Sequence, residues 1–180
     1  MRFELKLAVK KKKVLIVGGG SAGWMTAAGL ACFLPAQCFE IIQIESTTIG
    51  TVGVGEATIP HIRQFNQMLD IDENEFMRAT GATYKLAIQF TGWGHKESCY
   101  MHPFGRSGHD INGINFHHFW LHLQQKKQNK LPTFEQFSIA VLAAQKHKFQ
   151  YQKQDQNPLL SDYSYAFHLD ATLYAQYLKS

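Results

Sequence analysis

An α/β fold opening on a Rossmann-like βαβ unit is predicted by three features of the chain. They are an apolar run closed by Gly18-x-Gly20-x-x-Gly23, an alanine-rich apolar segment directly behind it, and a second β-branched run, Phe39–Ile44, ending on the carboxylate Glu45. Residues 14–17 (VLIV) read as a strand buried on both faces of a parallel sheet, because a continuous apolar run between turn signals leaves no polar face. Residues 24–33 read as a packed helix, so the glycines sit at a strand-to-helix turn. There Gly18 makes the tight turn, Gly20 admits a pyrophosphate to the backbone, and Gly23 lets the helix press on the strand. Ser21 and Ala22 lie at the helix N-terminus, whose free N–H groups face the phosphates. Glu45 falls about twenty residues past the last glycine, where an acceptor for ribose hydroxyls is expected. No Arg or Lys immediately follows Glu45, which disfavours a 2′-phosphate and leaves FAD or NAD.

The next elements follow in order. Residues 50–56 carry too many glycines for a packed strand and suit close backbone approach to a planar ring. Residues 60–69 begin with a proline fit for a first helical turn and place Ile62, Phe65 and Leu69 at helical spacing. Asp72 and Glu75 form a capping-box pattern for a further helix, with Gly81 as its stop. Residues 83–90 (TYKLAIQF) alternate as one strand, with Tyr84, Leu86, Ile88 and Phe90 on one face and Thr83, Lys85, Ala87 and Gln89 on the other. Residues 115–128 read as a helix bearing His117, His118 and His122; without an HExxH pattern or a matching carboxylate these are ordinary histidines, and no metal site is expected. Thr133 caps a helix over 133–146, with Gln136 at its third position. Residues 150–157 are glutamine-rich and suit an exposed loop, 163–167 read as a short strand, and Asp170 caps a last helix.

Composition narrows the class. With 180 residues, 45% apolar and 18% charged, the chain supports one substantial core. No apolar run is long enough to span a membrane, and the basic segment 1–13 lacks the apolar centre and small-residue cleavage site of a signal peptide, so the cytoplasm is expected. Cys32, Cys38 and Cys99 are odd in number, lack metal spacing and read as ordinary thiols. The net charge of +4 comes largely from Lys10–Lys13 and from Lys126, Lys127 and Lys130. These clusters read as solvated ends rather than a nucleic-acid surface, which distributes basic residues along a groove among stacking aromatics. The expected division is a basic tail over 1–12 and a nucleotide-binding module over 13–180. A doubly wound domain needs more strands than the two or three parallel candidates here, so the chain reads as the front part of a longer protein.

Together the motifs resemble one family. Gly18-Gly19-Gly20-Ser21-Ala22-Gly23-Trp24-Met25, Gly53-Val54-Gly55-Glu56-Ala57-Thr58-Ile59-Pro60, Phe76-Met77-Arg78-Ala79-Thr80, Tyr84-Lys85-Leu86-Ala87-Ile88-Gln89-Phe90, His102-Pro103-Phe104-Gly105 and Tyr165-Ala166-Phe167-His168-Leu169-Asp170-Ala171 are similar, in order, to the flavin-dependent tryptophan halogenases. The resemblance implies the FAD-binding start of a flavin monooxygenase/glutathione-reductase-type fold, incomplete at the C-terminus. Segments over about 60–148 would contribute to the substrate side.

The implied chemistry solves a polarity problem. Halide and indole are both nucleophiles, so chloride or bromide must be oxidised before they combine. In the family, reduced FAD and oxygen supply that oxidation, and a hypohalous acid passes through an internal tunnel to a lysine. Lys85 matches that lysine, either hydrogen-bonding the acid or carrying the halogen as a haloamine. Periodicity alone reads Lys85 as snorkelling from a strand edge. By the same resemblance Gly53, Val54, Gly55, Glu56 and Ala57 lie near the flavin ring, and Gly18, Gly20, Ser21, Ala22, Gly23 and Glu45 hold the rest of FAD. A separate flavin reductase, an indole or tryptophan-like substrate and a homodimer are the implied partners. The family's WxWxIP signature and second catalytic acid have no counterpart, since Trp24, Trp93 and Trp120 are isolated. The chain alone is therefore expected to be inactive. A flavin monooxygenase or reductase sharing the nucleotide fold, and a non-catalytic remnant of a truncated gene, are the alternatives.

Overall fold

The computed structural model describes residues 10–50, 52–126, 131–152 and 162–180. Along them run β1 (Lys12–Val17), α1 (Ser21–Phe33), β2 (Phe39–Ile44), β3 (Gly55–Ala57), α2 (His61–Met68), α3 (Glu73–Thr80), β4 (Thr83–Lys85), β5 (Ala87–Thr91), β6 (Cys99–Pro103), α4 (Phe116–Gln125), a 3₁₀ turn (Phe134–Phe137), α5 (Ile139–Gln145), β7 (Ala166–Asp170) and α6 (Ala171–Lys179). Three sheets result: β1-β2, β3-β7-β4 and β5-β6. The residues up to Glu56, with Arg63–Thr83 and His168–Ser180, form one compact unit; Ala57–Ile62 and Tyr84–Phe167 form another.

The first unit is built on the βαβ element. β1 and β2 pair in parallel with Val14 opposite Ile41 and Ile16 opposite Gln43, and α1 makes the crossover between them. The α3 boundaries follow their local signals. The Asp72 carboxylate accepts the Glu75 N–H at 2.8 Å, and Gly81 stops the helix at φ 61°, a conformation glycine adopts without a Cβ penalty. Asp170 caps α6 in the same way, accepting from Leu173 N–H at 2.8 Å. α6 packs against both α1 and α3. Between α3 and α6 Phe76, fully buried, makes a T-shaped contact with Tyr174 at 5.6 Å between centroids and 80°, and the Tyr174 hydroxyl donates to Asn66 Oδ1 at 3.0 Å.

In the second unit β5 and β6 pair antiparallel, from Ala87 opposite Pro103 to Thr91 opposite Cys99. Val141, Ala140, Ala166, Phe167 and Leu86 are buried there. Tyr84 stacks on Phe149 at 3.5 Å and makes a T-shaped contact with Tyr165 at 5.5 Å between centroids.

Four expectations are corrected. β1 is not buried on both faces: Val14 and Ile16 are half-buried, whereas Leu15 and Val17 are 57% and 77% exposed. Among the described residues β1 has only β2 as a strand neighbour, and nothing covers the face bearing Leu15 and Val17. The single strand over 83–90 is instead two strands in two sheets, broken at Leu86. Lys85 and Leu86 are both buried, which a two-residue period does not allow within one exposed-faced strand. The helix over 133–146 begins with the expected Thr133–Gln136 capping box but is interrupted at Ser138, whose backbone is extended at φ −106° and ψ 123°. The Phe137 carbonyl accepts from Gly108 N–H at 2.9 Å, so a tertiary bond replaces the helical one. The strand over 163–167 begins only at Ala166 and runs to Asp170, while Tyr163 makes an isolated bridge with Gly105.

The remaining helices fall within a few residues of their expected bounds. Of the loop over 150–157, residues 150–152 are irregular and exposed and 153–157 lie outside the described residues, as do Lys127, Lys130 and most of the basic tail.

Phe76→Ala removes a fully buried ring and is expected to lower unfolding stability by about 3–5 kcal/mol, while Asp72→Ala, which removes one cap, costs about 1 kcal/mol. Urea unfolding followed by circular dichroism measures both and should rank them in that order.

Candidate functional site

The turn after β1 holds α1 against the sheet. Gly18 sits at φ 128°, and its N–H donates to Ile44 O at 2.8 Å while its carbonyl accepts from the Gln43 side chain at 2.8 Å. A Cβ on Gly23 would run into that same Gly18 carbonyl. Gly20 differs: its backbone, at φ −80° and ψ −179°, suits any residue, and a Cβ there would meet nothing within 4 Å. Gly20 therefore borders open space in which a ligand can come against the backbone. It also caps α1 with no side-chain hydrogen bond, and the first turn contains no acid. The first turn of α1, whose Ser21 and Ala22 line the cleft in front of it, thus offers N–H groups without a side-chain cap, which suits an anion.

The cleft in front of this turn measures about 690 Å³, a size typical of cofactor sites, roughly 300–1,000 Å³. It is lined by the turn from Gly18 to Ala22, by Trp24, by Glu45 and Ser46 after β2, by Gly53 and Glu56, and by one face of α6. Glu45 stands at the end of β2. Its Oε1 accepts from Lys179 Nζ at 2.6 Å and its Oε2 accepts from the Trp24 indole N–H at 3.3 Å. The Lys179 bond, aided by Trp24, holds the Glu45 carboxyl below its ordinary range.

Lys85 belongs to the second unit. It is 7% exposed at the end of β4, and its Nζ donates to Thr58 O at 2.8 Å and to Ala57 O at 3.3 Å. Those carbonyls are themselves fixed, because Thr58 N–H donates to Phe167 O at 2.9 Å and Phe167 N–H donates to Thr58 Oγ1 at 3.0 Å. The Phe104 ring lies 5.4 Å from Nζ. Burial pushes the Lys85 ammonium below the ordinary lysine value of 10.5. The snorkelling reading from periodicity is overturned: the amine points inward, onto carbonyls.

Of the expected site residues, Gly18, Gly20, Ser21, Ala22, Glu45, Gly53 and Glu56 are gathered on the one cleft. Gly23 serves the helix contact instead, Val54 and Gly55 do not line the cleft, and Ala57 meets Lys85 through its carbonyl. Trp24 and the α6 residues Thr172, Gln176 and Lys179 were not foreseen as lining residues. The position of Trp24 one residue past Gly23 was a usable signal; α6 is more than a hundred residues away in sequence and offered none. Among the described residues no three His, Cys, Asp or Glu gather as metal ligands, and no helix is long and apolar enough to cross a membrane.

Gly23→Ala forces the Gly18 carbonyl and α1 apart, and an overpacking cost of about 1–3 kcal/mol is expected. Gly20→Ala changes only the helix cap and should cost less than about 1 kcal/mol. Thermal unfolding of the two variants tests this asymmetry.

A family model described as tryptophan halogenase matches residues 13–180. Tryptophan 6-halogenase ThaL of Streptomyces albogriseolus is 34% identical over 94% of this chain and 34% of its own length, and tryptophan 6-halogenase SttH of Streptomyces toxytricini is 46% identical over 61% and 20%. The solved structure of BrvH, a flavin-dependent halogenase from Brevundimonas sp. BAL3, superposes at a TM-score of 0.81 with 40% identity over 94% of this chain and 33% of that one. Xcc4156, a flavin-dependent halogenase from Xanthomonas campestris, gives 0.80 with 41% identity over 94% and 32%. The chain thus spans about a third or less of the length of these relatives. With the family match running from the first strand to the last residue, and with these relatives sharing its fold, the chain belongs to the tryptophan halogenase family.

Proposed function

We propose that this chain forms the FAD-binding and lysine-bearing part of a flavin-dependent halogenase that chlorinates or brominates tryptophan or a tryptophan-like indole. The observation that carries this reading is Lys85, a buried amine fixed by two backbone carbonyls in a member of this family.

The cleft fits FAD on its own chemistry. Open space at Gly20 and the uncapped start of α1 suit the diphosphate, Glu45 suits the ribose hydroxyls, and Gly53 and Glu56 complete the wall. When bound and reduced, FAD with oxygen supplies the oxidising equivalent that makes halide electrophilic. A separate flavin reductase would deliver it reduced.

Lys85 handles the electrophile. An ammonium has three donors, and two are directed at Thr58 and Ala57. The third is left for the oxygen of a hypohalous acid, which draws electron density from the halogen and readies it for attack by the arene. The two carbonyls hold the group in one direction, so the proton is presented rather than searched for. The same amine, once deprotonated, is nucleophilic enough to carry halogen, and burial favours that form.

Two measurements test the reading. Gly20→Val should weaken FAD binding by at least about tenfold, read from quenching of flavin fluorescence, because its side chain occupies the space open to the diphosphate. The whole protein, given a flavin reductase, bromide and tryptophan, should yield bromotryptophan, and Lys85→Met should lower product by about two orders of magnitude or more. With Lys85 acting as a donor, product formation should decline as pH rises through a value below 10.5. Product that is hydroxylated and independent of halide, or unaffected by Lys85→Met, would overturn the proposal.

A further inference from the structure

Two side chains from different helices converge on the Glu45 carboxylate. Lys179, in the last turn of α6, reaches Oε1 at 2.6 Å, and Trp24, near the start of α1, donates to Oε2 at 3.3 Å. The Lys179 ammonium also lies 5.3 Å from the centroid of the Trp24 ring, so the two helpers touch each other as well as the acid. On a further side the lack of a side chain at Gly19 makes room, since a Cβ there would strike Glu45. The Lys179 and Glu45 side chains are 55% and 35% exposed, a setting in which an ion pair adds little to folding. What these contacts fix is the direction of the carboxylate. Each carboxylate oxygen accepts at two sites, and one protein donor on each leaves the second for a ligand.

We infer that Lys179 is a positioning residue for nucleotide recognition: with Trp24 it holds Glu45 in the orientation that accepts the 2′-hydroxyl of the adenosine ribose. The inference rests on reading the cleft as the FAD site. A second role for the same cation would be to offset the negative charge of Glu45 and Glu56 as a diphosphate enters, and ligand chemistry separates the two. Orientation of Glu45 matters only to a ligand that has the hydroxyl it binds; charge compensation matters to any diphosphate.

The experiment is calorimetric titration of the full chain with ADP and with 2′-deoxy-ADP. Lys179→Met should weaken ADP binding by about tenfold, the loss of one charge-assisted contact, while leaving 2′-deoxy-ADP binding within about twofold of wild type. Lys179→Arg, which keeps the cation, should restore ADP binding to within about threefold. Trp24→Phe, which keeps the ring and loses the N–H, should also narrow the preference for ADP over 2′-deoxy-ADP, and it serves if Lys179→Met does not fold. Equal losses for both ligands, or ADP binding unaltered in both Lys179→Met and Trp24→Phe, would overturn the positioning role. A wild-type chain that binds neither ADP nor FAD would overturn the site itself.

Discussion

Everything in the cleft before α1 depends on one close approach, the Gly18 carbonyl lying where a side chain on Gly23 would have to be. That contact sets how near α1 comes to β1, and therefore where the first-turn N–H groups of α1 point. The Gly18 peptide is held at both ends, by Ile44 O on its N–H and by the Gln43 side chain on its carbonyl, so the turn is anchored to β2 as well as to α1. Glu45 follows two residues after Gln43, so the strand that secures the turn also delivers the carboxylate. The glycines thus divide their labour in space: Gly23 is filled by the protein and Gly20 is left open.

Lys85 shows the opposite solution to a similar problem. A buried cation is costly unless its donors are satisfied, and here the acceptors are backbone dipoles. A carboxylate partner would stabilise the charged form strongly and keep the amine protonated; carbonyls orient it while leaving desolvation free to lower its affinity for the proton. The break between β4 and β5 serves this arrangement. If the chain ran on as one alternating strand, Lys85 and Leu86 would face opposite sides, and one would meet solvent.

The βαβ start was legible because its signals are local: an apolar run, glycines at fixed spacing, an acid at the end of the second strand. Caps at Asp72, Thr133 and Asp170 were legible for the same reason, each bonding within three residues. The misreadings came where a distant partner decides. Gly108 takes the Phe137 carbonyl and ends a helix that propensity would continue, and pairing with two different sheets splits a strand that alternation joins. Lys179 and its neighbours on α6 reach the cleft only through tertiary packing, so no spacing rule pointed to them. The inward direction of Lys85 was available from family resemblance and contradicted by periodicity, because periodicity assumes that a charged residue seeks water.

The exposed side of β1 has a consequence for handling the chain. Leu15 and Val17 on β1 and Ile44 on β2 present apolar surface on a strand pair that, among the described residues, has no third strand at either edge. Such edges template pairing with other chains. The lysines at the start of the strand then acquire a purpose beyond solubility: Lys10 and Lys11 before it and Lys12 and Lys13 within it put like charges at its entrance, and among the described residues Lys13 is the one seen offset, by Glu40 at 3.4 Å. In a parallel edge-to-edge approach two molecules would bring those charges together, so the basic segment opposes that mode of pairing, and high salt, which screens it, weakens the opposition.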